Sequence, residues 1–149
     1  MKTARLFEAA CVLGRDSVGG GDGDVVALFG HRIGLAFQML DDVLDIAWPV
    51  ERTGKARGTD LLDGTVTLPF IEAAKVDPEL RGYDLASLDE TTAEALCDRI
   101  SATGALDTVR SRAMGLIEEA KAGLTGTAIE PGQRKLLDLI ADGVVLRYS

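Results

Sequence analysis

The sequence predicts an all-α protein, and three observations carry that prediction. Apolar residues recur at three- and four-residue spacing through most of the chain, no stretch alternates like a half-buried strand, and glycine or proline clusters punctuate the periodic segments. The 149 residues suit one helical region, 1–149, and a hydrophobic content of 46% is enough to bury a core. A formal net charge of −8 without a basic patch argues against nucleic acid, whose phosphates demand cationic contacts. No run of 18 apolar residues and no leader peptide is visible, so the expectation is a soluble, cytoplasmic chain without a transmembrane segment. Cys11 and Cys97 are far apart, each in a helical pattern, and read as buried free thiols.

The first helix is expected over residues 2–17, where Leu6, Ala9, Ala10 and Leu13 mark an apolar face. Gly19-Gly20-Gly21 ends it, and Asp22 or Asp24 is placed to cap the next. Residues 24–47 hold no proline and repeat Leu28, Ile33, Ala36, Met39, Leu40, Val43, Leu44 and Ala47 at helical spacing. A glycine-punctuated loop follows, ending in Thr67-Leu68-Pro69, and Pro69 starts a short helix over 68–76. Residues 77–88 carry turn residues (Asp77, Pro78, Gly82) and no clear period. A helix over 89–102 turns Ala93, Leu96, Cys97 and Ile100 inward. The next runs on Leu106, Val109, Ala113, Leu116, Ile117, Ala120 and Leu124, and the last, over 133–147, on Leu136, Leu137, Ile140 and Val144. The single histidine, His31, has no companion for a metal pair or dyad and is expected as an ordinary helix residue.

Chemistry concentrates between Gly34 and Pro69. Gly34, Gln38, Asp41 and Asp45 stand at i, i+4, i+7 and i+11 and so share one helix face. Asp42 sits about 100° round from Asp41. Carboxylates at this spacing repel, at a cost of about a few tenths of a kcal/mol per pair, and favour a compensating cation. A lone DDxxD is usually a solvated acidic face. Here it is followed by GKARGTDLLDGTVTLP, a glycine-rich basic loop that brings Lys55 and then Asp60. Carboxylates followed by a lysine loop suit a magnesium-bound polyphosphate, because Mg²⁺ keeps waters and substrate phosphates rather than a closed protein cage.

The ordered combination FQxxDDxxD then GKxxGxDLxxGxxTLP resembles the second aspartate-rich motif of the trans-type isoprenyl diphosphate synthases, the polyprenyl synthetases. The opening KTARLFEAACVLG and the closing helices with Arg147 resemble the same family. The likeness covers the whole chain but only the C-terminal half of the family's helical bundle. It implies Mg²⁺-dependent head-to-tail condensation of isopentenyl diphosphate with an allylic diphosphate. Carried over by motif position, Asp41 is the leading metal ligand, with Asp42 and Asp45 as water-bridged partners and Asp60 orienting metal-bound water. Lys2 and Lys55 would bind diphosphate, and Thr3 and Gln38 would face the reacting carbons. One departure stands out: Thr65 occupies a position where the family often has lysine.

No second DDxxD occurs in these 149 residues. The resemblance therefore implies a complementary chain or a missing N-terminal half that bears the first motif, or else a homo-oligomer in which the partner is a second copy. With that half absent, the apolar stripes of residues 1–18 and 24–47 are expected to lie open. A non-catalytic interaction subunit of a complete synthase is the alternative, against which the retained Asp41, Asp42 and Asp45 speak. A terpene cyclase of the same fold would not need the GKxxGxD and TLP loop.

Overall fold

The structure, a computed structural model, describes residues 2–17, 23–48 and 57–148, with Lys2 and Ser17 described in backbone only. Its helices are α1 Lys2–Ser17, α2 Gly23–Ala47, α3 Thr59–Leu62, α4 Leu68–Val76, α5 Glu90–Ala102, α6 Ala105–Gly123 and α7 Pro131–Arg147. Two 3-10 turns, Pro78–Gly82 and Leu85–Ser87, lie between α4 and α5. No strand occurs among the described residues, so the expected all-α class holds. The chain divides into two compact units, Met1–Gln38 with Arg112–Ser149, and Met39–Ser111; the divisions fall inside α2 and α6.

In the first unit, α1 packs on α2 through a glycine seam. A Cβ on Gly34 would lie 2.7 Å from the Ala4 Cα, and one on Gly30 would lie 2.7 Å from the Phe7 carbonyl oxygen. Only glycine allows this approach, because the obstacles are backbone atoms. The seam selects the small-residue side of α1, and Ala4 is its buried residue. The apolar face of α1 itself lies open, as expected: Leu6 and Leu13 are each 69% exposed, and Ala9 and Ala10 are exposed too. On α2 the same expectation fails, since Ile33, Ala36, Met39, Leu40 and Val43 are all buried, while Leu28 is open. The expected open stripe therefore exists on α1 and not on α2. Cys11 is half-buried rather than buried.

The rest of this unit is built from the end of α6 and from α7. Ala113, Ile117, Ala120 and Leu124 are buried as their spacing requires. Lys121 on α6 pairs with Asp142 on α7, and the Arg134 guanidinium donates to the Leu124 carbonyl at 3.1 Å. On α7 the buried positions are Ala141 and Val144, while Leu136 and Ile140 are exposed. Of the expected stripe, Val144 is buried and Leu137 half-buried, while Ala141 takes the inward place expected of Ile140, one residue away. A cavity of about 540 Å³, lined by Cys11, Arg15, Val26, Ile129, Leu136 and Ile140 among others, lies within this unit.

The second unit centres on α5, whose Ala93, Leu96, Cys97 and Ile100 are all buried. Asp89 caps it by accepting the Thr92 N–H at 2.7 Å, which satisfies one of the orphan donors of the first turn. Residues 77–88 are more regular than their sequence suggests. Asp77 and Asp84 each accept the N–H two residues on, at 3.2 Å, and start the two 3-10 turns. Arg99 on α5 then fastens Asp77 at 2.5 Å and Glu79 at 2.7 Å. No helix among the described residues is long and apolar enough to cross a membrane.

Candidate functional site

Two groups of predicted residues come together, one in each unit. In the first unit, the Thr3 hydroxyl donates to the Gln38 side-chain oxygen at 3.0 Å. The residues are 35 apart in sequence, and the Gly30/Gly34 seam is what lets α1 reach them. Phe37, beside Gln38, is held by Phe7 at a ring separation of 5.6 Å and by Tyr148 at 5.8 Å. The Arg147 guanidinium lies 5.0 Å from the Phe37 ring centre, a cation–π contact that ties the end of α7 to this part of α2. Lys2 is the first residue of α1, and its side chain lies outside the described part.

In the second unit the carboxylates of α2 meet the loop aspartate. Asp41 is exposed, Asp42 is only 8% exposed, and Asp45 and Asp60 are half-buried. One Asp45 carboxylate oxygen accepts the Thr59 N–H and the other accepts the Asp60 N–H, both at 3.1 Å. The Asp45 carbonyl accepts the Gly58 N–H at 2.8 Å. Three successive amides thus converge on one residue, and Asp45 serves as the cap of the short helix α3. Gly58 makes the turn at φ 73°, a left-handed conformation that favours glycine. A Cβ there would also stand 2.7 Å from the Cys97 sulfur. Lys55 lies outside the described residues.

The charge at this junction is crowded. Burial first, then the Asp60 and Asp41 charges, push the Asp45 carboxyl up to about 6, against the two amides that favour its ionised form. A nearby cation would relieve that strain. The donors are carboxylate oxygens, which suit a hard divalent ion such as magnesium or calcium. Among the described residues no group of three or more His, Cys, Asp or Glu side chains is arranged to hold a metal by itself.

Arg57 is the site residue that the sequence reading missed. Its Nε donates to the Ile46 carbonyl at 2.5 Å and one terminal nitrogen pairs with Asp98 at 2.5 Å. The sequence signals only a charge two residues after Lys55. Its partners, 11 and 41 positions away, leave no local trace.

Known proteins share this chain's sequence pattern and helical fold. The family model described as polyprenyl synthetase matches residues 1–102. A geranylgeranyl diphosphate synthase of Methanosarcina mazei is 39% identical over 98% of this chain and 45% of its own length. A heptaprenyl diphosphate synthase component 2 of Geobacillus stearothermophilus is 36% identical over 93% of this chain and 44% of its own. Among solved structures, a polyprenyl synthase from Caulobacter crescentus, complexed with calcium and isoprenyl diphosphate, superposes with a TM-score of 0.85 at 31% identity, covering 99% of this chain and 47% of that one. The chain spans about half the length of the relatives it matches.

Proposed function

The chain belongs to the polyprenyl synthetase family, and from that we propose that it supplies the second aspartate-rich motif of a prenyltransferase. The reaction would join isopentenyl diphosphate to an allylic diphosphate, head to tail. The allylic C–O bond breaks, the isopentenyl double bond attacks the carbon left behind, and a proton is lost. The observation that carries this reading is the junction of Asp45 with Gly58, Thr59 and Asp60, which binds the DDxxD helix to the aspartate of the glycine loop.

Each residue has a task on this reading. Asp41, exposed on the helix, is the leading metal ligand; Asp42 and Asp45 back it, and Asp60 orients bound water. Magnesium, when bound, neutralises the departing diphosphate as a Lewis acid. Lys2 and Lys55 bind the same diphosphate and favour its charge as it develops. Thr3 and Gln38, already hydrogen-bonded to each other, are set against the reacting carbons. Thr65 removes one cation that the family often places near the leaving group, and weaker diphosphate binding is the expected consequence.

The first aspartate motif must come from residues outside these 149, in a complementary chain or a preceding half. The relative named as component 2 supports an arrangement of more than one chain. The open Leu6 and Leu13 face of α1 supports a covering partner. A cytoplasmic setting belongs to the same reading, and the two unpaired thiols suit it.

Titration calorimetry with inorganic pyrophosphate tests the site. Binding that requires Mg²⁺ and disappears in Asp41→Ala is the expected result. Binding indifferent to both Mg²⁺ and Asp41 would leave the carboxylates as a solvated acidic face.

A further inference from the structure

We propose that Arg57 is a positioning residue for the carboxylate cluster, a latch that keeps Asp60 in register with Asp45. For its ligand the proposal rests on the prenyltransferase reading. The need for a latch is geometric. The left-handed turn at Gly58 sets the Thr59 and Asp60 amides on the Asp45 carboxylate, each at 3.1 Å, so the register of the two aspartates depends on where that turn is held.

Arg57 provides that restraint from the residue immediately before the turn. Its side chain is mostly buried, unlike the exposed Asp98 that it pairs with. The Ile46 carbonyl belongs to the last turn of α2, where carbonyls lack partners within the helix, and Arg57 Nε fills that vacancy. A cation at a helix C-terminus is favoured by the helix dipole as well. On the other side the fork reaches Asp98, with Ser101 Oγ at 3.5 Å, so α5 is engaged too. Ser101 in turn donates to the Cys97 carbonyl at 2.7 Å. The same Cys97 sulfur fills the space beneath Gly58. One planar guanidinium thus ties the end of the DDxxD helix to α5, with the Gly58–Asp60 turn between them. A lysine offers a single point of attachment and cannot reproduce the fork.

An ordinary exposed ion pair would contribute little; the latch predicts more. The test uses the ¹⁵N-labelled 149-residue chain with Arg57→Ala, Arg57→Lys and Asp98→Asn. Amide exchange reports the turn, and affinity for Mn²⁺ with inorganic pyrophosphate reports the carboxylates. Arg57→Ala is expected to speed exchange at Gly58, Thr59 and Asp60 while Leu96 and Ile100 stay protected. It should also weaken Mn²⁺–pyrophosphate binding by roughly 10-fold or more, as loss of a group that orients ligands does. Arg57→Lys should recover little of either. If Arg57→Ala loses its cooperative melt, Asp98→Asn carries the test, with a smaller change in the same direction. Unchanged exchange, or faster exchange with unchanged affinity, overturns the latch. A wild-type chain that ignores Mn²⁺ and pyrophosphate overturns the prenyltransferase reading and the latch's role together, whereas a fault in the latch alone appears only in the variants.

Discussion

Helices α5 and α1 carry similar apolar stripes and meet different fates. Ala93, Leu96, Cys97 and Ile100 of α5 are all buried, whereas Leu6, Ala9, Ala10 and Leu13 of α1 are exposed. Periodicity identified both helices, and for α5 it identified the buried face. In α1 a second, closer-packing surface won: Gly30 and Gly34 admit backbone contact that a leucine ridge cannot match. The lesson is that an apolar stripe marks a surface to be covered, and that small residues on the neighbouring helix decide which side is covered first.

The largest way to test this contrast is truncation. Leu96→Ala or Ile100→Ala should cost about 2–5 kcal/mol, while Leu6→Ala or Leu13→Ala should stay within about 0.5 kcal/mol. Chemical denaturation of the four variants measures the gap, and equal costs would place α1's stripe inside a core. The glycine seam comes next. Gly34→Ala should cost about 1–3 kcal/mol through overpacking and separate Thr3 from Gln38, visible as shifts at their resonances. Gly14→Ala, whose Cβ would meet open space, should instead stabilise by about 0.5–1 kcal/mol.

The pH response sharpens the same comparison for two aspartates of the second unit. Asp45 is raised from 3.8 to about 6, so its folded form holds a proton that the unfolded chain releases. Its contribution favours folding below the unfolded value of 3.8 and is lost as pH rises through about 6. Asp77 is held below its ordinary value by its hydrogen bond from Arg99, so its contribution is present above that value and is lost as pH falls through its folded pKa. Metal-free melting between about pH 7 and pH 5 should therefore gain from Asp45, and the gain should vanish in Asp45→Ala. A small effect is also expected at Thr67, whose buried hydroxyl has no hydrogen-bond partner among the described residues. Thr67→Val should be neutral or stabilising by up to about 1 kcal/mol, read as a shift in melting temperature.

What the sequence made legible follows from which forces are local. The start of α4 at Pro69 and the α5 face depend on neighbours within a few residues, and they read correctly. Of the two caps expected for α2, Asp24 lies inside the helix and Asp22 lies outside the described residues. The Thr3–Gln38 bond depends on a glycine seam, whose residues were visible although their consequence was not. Short α3 and the 3-10 turns formed where loop was expected, because Asp45, Asp77 and Asp84 supply caps that propensity does not register. Arg57 was invisible because its partners are set by tertiary structure.

The central claim is that Asp41 and its neighbours serve metal-dependent prenyl transfer once the first aspartate motif is present. The direct measurement is incorporation of labelled isopentenyl diphosphate into an allylic primer by this chain, mixed with a polypeptide carrying the first motif. Mg²⁺-dependent product from the mixture, absent from either chain alone and abolished by Asp41→Ala, is the predicted result. Product formation that Asp41→Ala leaves untouched would contradict the account.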